Sequence, residues 1–126
     1  MSVAGEIRAR LARFTYKADR GEEWRSLADL VRQGKDWADD CDGYALTAAQ
    51  LAVEDFALPR ADVALAMCRT ETGGGHLVCL VTEGGTTRAI DNRQSAAWEW
   101  STLPYRWISA MRLAEPGVWR TIEGAG

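Results

Sequence analysis

Cys41, His76 and Asp91 are the residues whose types and order could carry covalent chemistry in this chain. Cys41 sits in "DWADDCDGYAL", residues 36–46, between aspartates and directly before an apolar segment with helical spacing. A structural cysteine prefers apolar neighbours, whereas a reactive one lies near the surface in a field that stabilises its thiolate. The start of a helix supplies such a field, through partial positive charge and unpaired backbone N–H groups that can also hold an oxyanion. His76 is the sole histidine and follows three glycines, so the backbone before it is open. A hairpin would join the strand beginning at His76 to the strand ending at Asp91, making the two positions neighbours across an antiparallel ladder. Asp91 would then set the imidazole tautomer while the other ring nitrogen meets the thiol, the nucleophile, base and orienter arrangement of a thiol hydrolase. The same residues also have a plain reading: Cys41 as a cap-region residue, His76 as a surface strand end, Asp91 as a turn former before Asn92.

The elements that must position these residues follow from periodicity. Residues 4–14 read as a short helix with Ile7 and Leu11 on one face, and "YKADRGEE" (16–23) breaks the pattern. Over residues 23–33, Trp24, Leu27, Leu30 and Val31 recur at helical spacing, with Trp24 expected in the core and Gly34 as the stop. Residues 35–40 read as a polar loop. From Cys41 to Glu54, Ala45, Leu46, Ala49 and Val53 line one face of a central helix, which ends before Pro59. The second half turns to strands at 61–69, 76–82, 87–91 and 105–113, with a glycine-rich turn at 70–75 and a tight hairpin at "EGGT". Helices followed by antiparallel strands form the α+β pattern.

Bulk properties limit the function classes. At 126 residues the expectation is one domain, residues 1–126. Net charge is -3 with no basic run, which argues against nucleic acid as the main partner. No apolar stretch is long enough to span a membrane. Residues 1–14 lack the apolar core of a secretory signal, so the expected location is cytoplasmic or phage-associated, or periplasmic after removal of a targeting segment. Three cysteines without a CxxC pair, and a single histidine, argue against a zinc site. Cys68 and Cys79 read as small apolar strand residues.

The segments "DDCDGYAL", "GGGHLVCLV", "AIDN" and "PYRW" together resemble the bacterial transglutaminase-like cysteine peptidases, over roughly residues 14–107. The resemblance implies a papain-like, transglutaminase-type core whose central helix starts at the nucleophile and packs on an antiparallel sheet. It implies a cysteine peptidase or amidase acting on a peptide or protein, with Cys41 as nucleophile, His76 as general base and acid, and Asp91 as orienter. No cofactor is needed for that chemistry. The family also uses acidic residues beside the nucleophile to bind calcium; Asp40 and Asp42 match two such positions, and Asp39 is a further candidate. Gly43 stands where another acidic residue is common in the family. Calcium takes about six to eight oxygen ligands, so the match is partial. Helix capping accounts for Asp40 and Asp42 equally well. Their charges raise a tension, because carboxylates beside Cys41 push its pKa up unless the helix terminus, a protonated His76 or a bound cation outweighs them.

An oxyanion hole needs a second donor from upstream of Cys41, for which Gln33 and Trp37 are the options, and Trp37 could also wall a cleft. Tyr44, one turn beyond Cys41, is assigned to core packing. Trp98, Trp100 and Trp107 are assigned to packing around the sheet. Two other functions remain open: a non-catalytic or assembly module that keeps the fold, of a kind a bacteriophage could encode, and an amidohydrolase of cell-wall peptides.

Overall fold

The computed structural model describes residues 2–18 and 24–122. In chain order they form α1 (Val3–Arg10), β1 (Phe14–Tyr16), α2 (Ala28–Arg32), β2 (Trp37–Asp39), α3 (Cys41–Glu54), β3 (Val63–Arg69), β4 (Gly75–Glu83), β5 (Thr86–Ile90), β6 (Arg106–Arg112) and β7 (Arg120–Thr121). The α+β expectation holds. β3 to β7 make one antiparallel sheet in the order β5-β4-β3-β6-β7, and β1 and β2 make a separate parallel pair.

Alanines let α3 approach the sheet closely: Ala45, Ala48 and Ala52 are fully buried and share a core with Val63, Leu65, Leu77, Cys79, Val81 and Ile90. The opposite sheet face buries Ala66, Cys68, Val78, Leu80, Tyr105 and Trp107 under the connection that leads into β6. Alternation along each strand separates the two sets. It fails at one place: Met67 pairs with Ser109 but Cys68 pairs with Trp107, so Ile108 is an extra residue in β6. The β4–β5 hairpin turns at Gly84 (φ 60°) and Gly85 (φ 83°), both left-handed, as the "EGGT" sequence requires.

Three expectations need correction. The first helix ends at Arg10, and Phe14, inside the expected span, instead pairs with Trp37 in the β1–β2 ladder. The second helix is only Ala28–Arg32, so the periodic face is not built at Trp24, which is 45% exposed rather than in the core. Glu23 lies outside the described residues. Residues 37–39 are not loop but strand, with Trp37 and Asp39 buried.

Candidate active site

The β4–β5 register sets the geometry of His76 and Asp91. Cys79 pairs with Ile90, so Asp91, one residue past the end of β5, falls opposite Val78. His76 is therefore not its direct partner across the ladder but lies diagonally, two residues along on the same face. That diagonal is bridged: His76 Nε2 and Asp91 Oδ1 are 2.7 Å apart, with both side chains almost entirely buried. Nε2 being engaged, Nδ1 is the ring nitrogen left for other work.

Asp91 is also held by groups that residue order does not single out. Tyr105 donates its hydroxyl to Asp91 Oδ2 at 2.6 Å, and the Arg93 backbone N–H donates to Oδ1 at 3.0 Å. Burial alone would raise the Asp91 pKa; the hydrogen bonds from His76, Tyr105 and Arg93 outweigh it and hold the carboxyl below its ordinary range. The Tyr105 ring stands edge-on to His76, with centroids 5.6 Å apart. Gln94 Nε2 donates to the Tyr105 hydroxyl, and the Arg93 guanidinium lies over the Tyr105 ring. Tyr105 lies within the "PYRW" segment, but its spacing from Asp91 carries no signal until the sheet is built.

Cys41 is the first residue of α3, behind the N-cap Asp40, whose Oδ1 accepts the Gly43 N–H at 3.0 Å. Two cavities meet at this point, and both Cys41 and His76 border each. One, of about 480 Å³, is walled by Trp24, Met67, Leu77 and Ile108. The other, of about 330 Å³, has a more polar wall that includes Tyr16, Thr70, Asn92 and Arg93. Asn92 Oδ1 is buried without a hydrogen-bond partner among the described residues. The Cys41 thiol makes its hydrogen bond to Asp42 Oδ1 at 3.5 Å. Burial pushes its pKa up to about 11; the Leu77 N–H opposes this, and Asp42 and Asp40 add to it. The tension expected from the aspartates is thus present in the structure.

The other expected site residues separate. Gln33 is the exposed C-cap of α2 and borders neither cavity. Trp37 is 4% exposed, stacked on Tyr44 at 5.8 Å and packed on Phe14 at 4.8 Å; it is core, not cleft wall, and its Nε1 is buried without a partner among the described residues. Trp24 takes the cleft-wall position, bordering the larger cavity together with Asp42. The three aspartates do not converge. Asp40 caps the helix, Asp42 receives Cys41, and Asp39 accepts the Asp40 N–H at 2.8 Å while facing Arg25. Among the described residues no three acidic, histidine or cysteine side chains are grouped to hold a metal. Each of the three carboxylates thus has its own partner within the turn.

The description bacterial transglutaminase-like cysteine proteinase belongs to a family model that matches residues 7–126. The chain belongs to this family. Solved structures of LapG from Legionella pneumophila share its fold. The calcium-bound form has a TM-score of 0.74 at 14% identity, over 98% of this chain and 69% of that one. A second LapG structure has a TM-score of 0.73 at 15% identity, over 96% and 68%. The EGTA-treated form has 0.73 at 14%, over 98% and 67%. No curated sequence matches the chain. The family is one of cysteine peptidases, and no described helix is long and apolar enough to cross a membrane.

Proposed function

We propose that the protein hydrolyses amide bonds of a peptide or protein through Cys41, His76 and Asp91. The observation that carries this reading is the buried His76–Asp91 pair, whose imidazole borders both cavities that meet at Cys41. Cys41 Sγ attacks the substrate carbonyl as His76 Nδ1 takes the thiol proton. The carbonyl oxygen becomes an oxyanion, and the Cys41 N–H is the donor for it: as a first-turn amide it has no intrahelical acceptor. Collapse breaks the C–N bond, and the proton on His76 passes to the leaving amine. Water, deprotonated by His76, then resolves the thioester and frees Cys41. Asp91 keeps Nε2 protonated and the ring oriented throughout. Because burial leaves the resting thiol protonated at neutral pH, the proton transfer to His76 is the step that creates the nucleophile. No step uses a metal.

The test is alkylation of Cys41 by iodoacetamide across pH, in wild type, His76→Ala and Asp91→Asn. Wild type is expected to react faster near neutral pH than either variant, with His76→Ala showing only the high-pH titration of an isolated thiol. Identical profiles for wild type and His76→Ala would end the catalytic reading. Mass spectrometry of a thioester trapped from a peptide mixture would then define the acyl side of the substrate.

A further inference from the structure

Asp39 presents an unusual arrangement. Its side chain is 2% exposed and lies against the first turn of α3. A Cβ added at Gly43 would sit 2.1 Å from Asp39 Oδ2 and 2.2 Å from its Cγ, so the carboxylate fills the space that any side chain at 43 would enter. Asp39 Oδ1 accepts the Asp40 N–H. Among the described residues, Asp39 Oδ2 is buried and has no hydrogen bond. A buried carboxylate with an unsatisfied oxygen is costly unless a positive charge stands near it. Among the described residues, the cation paired with it is Arg25, whose Nε lies 3.6 Å from Oδ2. Arg25 is set in place by the segment before α2, tied to α3 where the Leu27 N–H donates to the buried Thr47 hydroxyl at 2.9 Å.

We infer that Arg25 is the resident cation of the nucleophile turn: its guanidinium balances the buried Asp39 carboxylate and makes the turn independent of calcium. A LapG structure of the same fold is calcium-bound. Calcium asks for about six to eight oxygens around one point. Here Gly43 contributes no carboxylate, Asp40 caps the helix, and Asp42 accepts the Cys41 thiol. A side chain at 43 and the inward Asp39 exclude each other, so the glycine and Arg25 belong to one solution. The inference concerns charge balance in the fold and stands apart from the catalytic reading.

The experiment measures thermal unfolding and calorimetric calcium binding, and neither readout requires turnover. Wild type is expected to show the same Tm in EGTA, in millimolar calcium and in millimolar magnesium, with no heat of calcium binding. A calcium-specific rise in Tm, or measurable binding, overturns the inference. Arg25→Ala is expected to lower Tm by roughly 5–10 °C in the wild-type background, because it strands a buried charge. In an Asp39→Asn background, where no charge is buried, the same substitution is expected to have much less effect. Equal losses in both backgrounds would show that Arg25 acts through packing alone and would overturn the charge-balance role.

Discussion

Replacing Tyr105 by phenylalanine removes one oxygen from the floor of the candidate site and leaves the ring in place. That oxygen is the only partner of Asp91 Oδ2 among the described residues, since His76 and the Arg93 N–H both bind Oδ1. Gln94 Nε2 loses its acceptor as well. A hydrogen bond to a buried charge contributes about 1.5–3 kcal/mol. For a chain of this size that corresponds to a Tm loss of roughly 5–15 °C near neutral pH. The loss has a characteristic pH dependence. Asp91 has a folded pKa below its ordinary value near 3.8, so it contributes stability that is complete above that value and is lost as pH falls through the lower folded value. In Tyr105→Phe the depression shrinks and so does this contribution. The gap between wild type and variant is therefore widest near neutral pH and narrows as pH falls below about 4. Urea unfolding at pH 7, with melting curves down to about pH 3, measures it. A gap that stays constant across pH, or a variant as stable as wild type, would refute the claim that the hydroxyl stabilises the Asp91 charge.

Gly43→Ala is expected to destabilise by at least about 1–3 kcal/mol, because Asp39 must leave its place; adding Asp39→Ala should recover part of the loss in denaturant titrations. Asp42→Asn is expected to lower the Cys41 pKa and speed alkylation at pH 8, since Asp42 acts to raise it; a pKa lower by about one gives roughly tenfold more thiolate, and an unchanged pH–rate profile would count against that electrostatic role. Cys68 and Cys79 are buried with pKa values pushed up to about 12, so intact-mass analysis of native protein at pH 8 is expected to show label on Cys41 only and three labels after denaturation. Native labelling of Cys79 would mean that the core opens.

Much of this architecture can be read from residue order. The alanine and leucine spacing of α3, the Asp40 cap and the two-glycine hairpin are local signals, and each forms where the pattern puts it. The hairpin alone is enough to bring His76 and Asp91 to one sheet face, although the register that makes them diagonal is set by Cys79 and Ile90. The misread residues depend on packing between distant segments. Trp24 has a helical spacing that its own helix never extends to meet. Trp37 sits in a three-residue strand that pairs with β1, too short for alternation to show. The carboxylates beside Cys41 look alike in sequence; only the third dimension separates the helix cap from the acceptor of the thiol and from the buried partner of Arg25.

The extra residue Ile108 has a consequence beyond a local kink. Strand faces are a binary property, and a residue left out of the pairing inverts the alternation for everything beyond it. If β6 paired straight through from Ala110 opposite Ala66, residue 108 would stand opposite Cys68, and Tyr105 and Trp107 would point toward α3. Because Ile108 is passed over, Trp107 takes the place opposite Cys68, and the phenol of Tyr105 reaches Asp91. Ile108 itself, passed over by β3 while its carbonyl accepts the Ile122 N–H, walls the larger cavity at Cys41. The two roles are separable. Deleting Ile108 would let Trp107 follow Ser109 in a regular ladder, keeping Tyr105 beneath the imidazole while removing one wall of the cavity. The strand thus carries, at the mouth of the site, a residue that β3 passes over.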